Sequence, residues 1–169
     1  MNSKLKTELI KMVRADQRMR RKINEGGDFH TKIDKDNTKR MKLIIKIYGW
    51  PGKSLVGKKG ADNAWLLVQH ADHQINFQEK CLKLIKRAVL AGEAKKEHLA
   101  YLTDRILFNK NKKQLYGTQF KIKKNNKLAL YQTRDLKNLD KRRKTMDLTP
   151  FKEYKKLIHE SLEQGNKKR

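Results

Sequence analysis

Apolar side chains recur every three or four residues along most of this chain, the spacing of helices with one buried face. Leu5, Leu9, Met12, Met19 and Ile23 form such a stripe and predict a helix over residues 3–23, ended by Gly26-Gly27-Asp28. Asp34 or Asn37 can cap a second helix running to Tyr48. Met41, Ile44, Ile45 and Tyr48 share one side of it, and Leu43 and Ile47 widen the apolar face. Its isoleucines make a strand from Leu43 to Tyr48 the competing reading. Gly49-Trp50-Pro51-Gly52 stops either element, and a glycine-bearing loop follows to Gly60. Asp62 opens a third helix that ends near His70 or Asp72. A fourth spans 75–90 on Phe77, Cys81, Leu84, Ile85, Ala88 and Val89, with Gly92 behind it. A fifth spans 96–108 on Leu99, Leu102 and Ile106, followed by a basic polar loop over 109–113.

From Phe120 to Tyr131 the period changes. Phe120, Ile122, Leu128 and Leu130 share one parity around Asn125-Asn126, which reads as a β-hairpin. Residues 135–146 form a charged connection with no clear period. Pro150, suited to the first helical position, starts a last helix on Phe151, Tyr154, Ile158 and Leu162. The fold these elements predict is mainly α, a single-domain, helical bundle-like fold with one small β-hairpin. It would occupy residues 1–164, with 165–169 as a disordered basic tail.

The chain has 169 residues, enough for one domain with a real core and few for two. Apolar residues make up 37% and charged residues 36%. Low hydrophobicity with high net charge leans toward disorder, and the periodicity argues against it for most of the chain. Lys and Arg number 43 against 18 Asp and Glu, a formal charge of +25. Such a charge attracts nucleic acid or an acidic protein partner over long range. The excess is mostly lysine spread along the whole chain, as in a solvated surface. No apolar run approaches membrane-spanning length and no signal-peptide core is present, so the expected location is cytoplasmic, off the membrane. Cys81 is the only cysteine, which rules out an intrachain disulfide, and it falls in an apolar stripe as a small core residue.

Four features carry candidate chemistry. Asp16 sits on the apolar stripe of the first helix, where a carboxylate is costly unless paired. The apolar run Ala64-Trp65-Leu66-Leu67-Val68 ends in Gln69, His70 and Asp72, groups that hydrogen-bond and move protons. A carboxylate on His70, from Asp72 or Asp16, would fix the imidazole tautomer and raise its basicity. The plainer alternative is Asp72 capping a helix beside a half-buried histidine. His70 and His73 share a helix face, but a metal needs a third ligand and the neighbourhood supplies none, so no metal or cofactor is expected. Asp104-Arg105 lies in the fifth helix, with Asp104 off the Leu99–Ile106 stripe and hence expected at the surface. Tyr116-Gly117-Thr118-Gln119 opens the hairpin, where Gly117 suggests a turn or bulge that can aim side chains into a site. Gly49-Trp50-Pro51-Gly52-Lys53-Ser54 resembles the end of a phosphate-binding loop. Ile47 stands where that loop needs glycine, and Pro51 lacks the N–H it would use. What remains is a loop able to hold an anion weakly through Lys53 and free N–H groups.

In combination these residues resemble a known family. Asp16…Arg18, Gly49-Trp50-Pro51, Val56-Gly57, Ala64-Trp65…Gln69-His70-Ala71-Asp72, Phe77-Gln78, Ala100-Tyr101-Leu102…Asp104-Arg105 and Tyr116-Gly117-Thr118-Gln119-Phe120 are similar to the bacterial domain-of-unknown-function family 6624. The resemblance covers about Leu5 to Tyr154. It implies a stand-alone, single-domain bacterial protein, brings no activity with it, and shifts weight toward the polar motif residues.

The site these residues suggest is a polar pocket lined by Asp16, Gln69, His70, Asp72, Asp104, Arg105, Tyr116 and Gln119. As an enzyme, His70 would be the general acid/base, Asp72 or Asp16 its orienter, and Arg105 the contact for an anionic substrate group. Gln69 and Gln119 would position the substrate, with Asp104 and Tyr116 completing the lining. Hydrolysis or transfer on a phosphorylated or nucleotide-like substrate suits these residue types. Two readings stand against it. One is a non-catalytic nucleic-acid-binding protein using Lys110, Lys112, Lys113, Lys121, Lys123, Lys124, Lys127 and Lys141 to Lys144. The other is a structural or partner-binding domain whose polar residues tie helices together.

Overall fold

The structure, a computed structural model, describes residues 1–24, 31–122 and 128–166. It is mainly α with one small antiparallel sheet, as the periodicity predicts. The chain divides into two compact units, Met1–His98 and Leu99–Arg169. Among the described residues no helix is long and apolar enough to cross a membrane.

The first unit holds α1 (Ser3–Asn24), α2 (Thr31–Tyr48), α3 (Lys53–Gln69) and α4 (Ile75–Leu90), and α5 (Lys96–Asn109) begins at its end. α1, α2 and α4 all pack on α3. Small residues on α3 (Gly60, Ala61 and Ala64) let those neighbours approach, and Leu67 and Val68 continue the buried face. Leu5, Leu9 and Met19 from α1, Met41 and Ile44 from α2, and Phe77, Cys81, Ile85 and Ala88 from α4 close the core around it.

Two expectations fail here for local reasons. α3 starts at Lys53 rather than Asp62, so the expected glycine loop is helical. Gly57, at φ 73° and ψ 168°, kinks the helix without ending it, a conformation in which a Cβ is strained. α2 is helical throughout, which excludes the strand alternative, and begins before Asp34, which therefore sits in its first turn rather than at a cap. Leu43 and Ile47 face outward, 44% and 64% exposed, so the apolar face of α2 is narrower than the sequence suggests.

The second unit continues α5 into a loop and then β1 (Phe120–Ile122) and β2 (Leu128–Leu130). These pair antiparallel, Phe120 opposite Leu130 and Ile122 opposite Leu128. The expected turn at Asn125-Asn126 lies outside the described residues. The connection of uncertain structure is a single 3₁₀ turn, Leu136–Asn138, followed by α6 (Leu139–Thr145). α7 (Phe151–Asn166) follows Pro150 as expected and takes in the first two residues assigned to the tail, while 167–169 lie outside the described residues. Ala100, Leu102, Ile106, Tyr131, Leu139 and Tyr154 are the apolar part of this core. Asp104, Gln114, Thr118, Gln119 and Arg143 are buried with them.

Candidate functional site

α1 and α3 bring a carboxylate and an imidazole together in the first unit. Asp16 is fully buried, at the stripe position where the sequence places it. Its two carboxylate oxygens lie 2.9 and 3.0 Å from His70 Nδ1, at the C-terminal end of α3. Arg20, one turn along α1, bridges the cluster. Its terminal nitrogen donates to Asp16 Oδ1 at 3.2 Å and to Asp34 Oδ1, from α2, at 2.8 Å. Gln17 Nε2 donates to the second Asp16 oxygen at 2.8 Å.

Arg20 Nε also lies 3.0 Å from His70 Nδ1, and one ring nitrogen cannot both accept from arginine and donate to aspartate. An ionised carboxylate at this distance favours Nδ1–H, the charge-assisted choice. The Arg20 Nε–H then serves Asp16 Oδ1 at 3.3 Å. Nε2 becomes the lone-pair nitrogen of a side chain that remains 16% exposed. Burial pushes the Asp16 carboxyl up most strongly as a single effect. His70, Arg20 and Gln17 together outweigh it and hold the group below the usual aspartate range. Asp34 is raised instead, by burial and by the nearby Asp16 charge, with Arg20 opposing. With both carboxylates ionised, the Asp16–Asp34–Arg20 cluster carries one net negative charge, which an imidazolium would neutralise.

The carboxylate that meets His70 Nδ1 is that of Asp16, and Asp72 meets Gln78. Gln78, fully buried on α4, donates from Nε2 to the Val68 and Gln69 carbonyls, 3.2 Å each, and to Asp72 Oδ1 at 3.3 Å. Val68 O already accepts from Ala71 N at 3.1 Å, so Gln78 adds a second donor there and serves Gln69 O, one of the carbonyls that the end of α3 leaves open. Gln69 is buried beside His70 in sequence, and His73 is exposed in the following turn. Among the described residues, no group of three or more His, Cys, Asp or Glu side chains could hold a metal ion.

The loop after Pro51 does not keep its N–H groups free. Glu93 accepts from Ser54 N with Oε2 at 2.8 Å and from Lys53 N with its backbone carbonyl at 3.1 Å. The anion at the start of α3 is this glutamate.

In the second unit, Asp104 is fully buried, not at the surface as its position off the apolar stripe suggests. Its oxygens accept from Leu115 N at 2.7 Å, Tyr116 N at 3.1 Å, Thr118 N at 3.0 Å and Thr118 Oγ1 at 3.1 Å. The loop is folded around this carboxylate. Burial raises its pKa against the opposing pull of those donors. Thr118 Oγ1 accepts in turn from Gln119 Nε2 at 3.0 Å, and Gln119 Oε1 accepts from Arg105 at 3.1 Å. Gln114 acts as a stretch of backbone would: its Oε1 accepts from Gln119 N at 2.9 Å and its Nε2 donates to Gln119 O and Tyr131 O at 3.0 Å each. The Tyr116 phenol is half-buried and raised, by burial first and by Asp104 second.

Arg143 corrects the expected lysine-and-arginine face. It is fully buried, donating to Thr149 O at 2.7 Å and Tyr116 O at 2.6 Å, with its guanidinium 4.7 Å from the Tyr154 ring centre. Arg142 is held by Leu115 O and Asp135. Of the stretch from Lys141 to Lys144, the two lysines face water. Lys110, Lys112, Lys113 and Lys121 are exposed too, and Lys121 lies over the Tyr131 ring at 4.8 Å. Lys123, Lys124 and Lys127 lie outside the described residues.

The motif residues thus fall into two clusters, one in each unit. The chain belongs to DUF6624, a family of unknown function. The match runs over residues 3–167 and so takes in both clusters of this DUF6624 chain. No curated protein and no solved structure matches it.

Sequence reasoning missed Arg20, Asp34, Gln78 and Arg143. Arg20 was signalled by its place four residues after a carboxylate on a buried stripe. Asp34 was legible only as a cap. Gln78 was signalled by its place three residues before Cys81 and seven before Ile85 on the buried stripe of α4, and nothing local marks Arg143 as buried.

Proposed function

We propose that this DUF6624 protein is a small hydrolase or transferase in which His70 is the general acid/base and Asp16 its orienter. The observation that supports this reading is the pairing of a partly exposed imidazole with a fully buried carboxylate at 2.9 Å. Asp16 takes up Nδ1, so Nε2 is the nitrogen that accepts a proton from an attacking hydroxyl and returns it to the leaving group. The surplus negative charge of Asp16, Asp34 and Arg20 stabilises the imidazolium formed between those two transfers. The proposed substrate is phosphorylated or nucleotide-like, in keeping with a chain of charge +25.

The test is a panel of phosphomonoesters, phosphodiesters and nucleotides assayed with the wild type, His70→Gln and Asp16→Asn. His70→Gln should lower kcat/KM by about 10²–10⁴-fold on whichever substrate turns over, with the thermal midpoint nearly unchanged. Asp16→Asn should lower kcat and flatten the pH profile. Equal turnover by wild type and His70→Gln, or no turnover across the panel, would refute the reading.

A further inference from the structure

α2 and α4 both pack on α3, and a groove of about 600 Å³ runs between them. Its apolar lining comes from Ile45 on α2 and from Phe77, Cys81 and Leu84 on α4. Two rows of cations flank that floor. Lys42 and Lys46 stand one turn apart on α2, and Lys80, Lys83 and Arg87 follow one another along α4. Of the described residues that line the groove, none is acidic.

We propose that this groove docks an acidic amphipathic helix of a protein partner. An apolar seam flanked by cations from two helices is the complement of a helix with apolar residues at i, i+3, i+4 and i+7 and carboxylates on both flanks. Charge sets the choice of partner and the rate of encounter, and the half-buried Ile45 and Leu84 supply the apolar surface to be buried.

Other occupants fit less well. Nucleic acid binds single strands by stacking bases on open aromatic faces. Phe77 is the aromatic residue of the lining, and it is buried with Lys42 Nζ over its ring at 5.5 Å. A bilayer-binding surface carries its apolar groups outermost, whereas these lie at the bottom of a concavity. A second copy of this chain, at +25, brings lysine-rich helices to a lysine-lined groove. Cys81 belongs to the floor by packing, its thiol fully buried and pushed up to about 12 by burial, so it stays a neutral thiol there.

The experiment uses the full chain and a labelled helical peptide of about 20 residues, with leucine on one seam and glutamate on both flanks. Binding is read by fluorescence anisotropy. A scrambled peptide of the same composition, a single-stranded oligonucleotide of equal charge and phosphatidylglycerol vesicles are run beside it. One variant reverses Lys80, Lys83 and Arg87 to Glu, all three exposed on α4. Another reverses Lys4, Lys11 and Lys22 to Glu, all three exposed on α1, for the same change in net charge. The amphipathic peptide should bind more tightly than its scramble. The α4 variant should weaken it about tenfold and the α1 variant less than about twofold. Equal weakening by the two variants, or equal binding of the scramble, would show attraction to net charge alone and overturn the proposal. So would an α4 variant that loses the oligonucleotide or the vesicles and keeps the peptide.

Discussion

His98 should make the stability of the first unit fall steeply in mild acid. The ring is buried, stacked on Trp65 with centres 4.3 Å apart and planes 5° from parallel. Trp65 fixes the arrangement further, its indole N–H donating to the His98 carbonyl at 3.1 Å. His98 Nε2 lies 3.3 Å from Asp62 Oδ1, a contact that favours the charged ring. Asp62 is also paired with Lys95 at 3.0 Å, and it is half-exposed. Burial dominates. Helped by Lys95 and Lys53, it lowers His98 to about 4. At neutral pH the ring is therefore an uncharged Nε2–H tautomer.

The sign follows from the two states. The unfolded histidine binds its proton near pH 6.5 and the native one only near pH 4. Above pH 6.5 the contribution is fully present. It declines as pH falls and is fully lost below pH 4. A gap of about 2.5 units at about 1.4 kcal/mol each gives about 3 kcal/mol in all, of which about 2 kcal/mol is gone by pH 5. Urea melts of the wild type and His98→Phe between pH 7 and pH 4.5 isolate this contribution, because phenylalanine keeps the stack and has no proton to gain. The wild type should lose about 2 kcal/mol more than the variant between pH 7 and pH 5. Parallel curves, or a His98 imidazole that titrates near pH 6.5 by NMR, would refute the reasoning.

Asp104→Asn turns an amide toward backbone N–H donors in a buried loop, and urea denaturation should show a loss of about 3 kcal/mol. A loss under about 1 kcal/mol would mean the loop does not depend on that carboxylate. Gly57→Ala places a Cβ at φ 73° and ψ 168°, and thermal or urea unfolding should show a cost of about 1–3 kcal/mol. An unchanged midpoint would mean that the kink relaxes without strain.

What the sequence revealed tracks how each residue is buried. α4 and α7 were legible because an apolar stripe marks the face each buries, and apolar periodicity is what a helix face displays. Asp16 was legible for the same reason in reverse, as a carboxylate interrupting such a stripe. α3 was hidden at its start because its kink needs glycines, Gly57 for its positive φ and Gly60 for the room Val56 takes, and glycines read as loop. The second unit was harder. Asp104, Gln114 and Arg143 are buried through hydrogen bonds to backbone groups distant in sequence, and no periodic pattern records such partners. The surface placement expected of Asp104 failed because it weighed apolar neighbours only, while the loop that covers this carboxylate begins eleven residues later, at Leu115.

Two buried aspartates of the same formal chemistry therefore differ in what they leave available. The donors to Asp104 all come from the loop at 115–118 folded around it, and its acceptor capacity is spent on holding that loop. Asp16 spends part of its capacity on a side chain that itself has a second functional end. Its bond to Nδ1 decides which tautomer His70 adopts and hence what Nε2 can do. The donors to Asp104 are backbone N–H groups and one hydroxyl, which take up no proton. The Asp16 network ends in a nitrogen that can, on a partly exposed ring. That difference, and not residue type or burial, is why the proposed chemistry is assigned to His70 and Asp16 and not to Asp104.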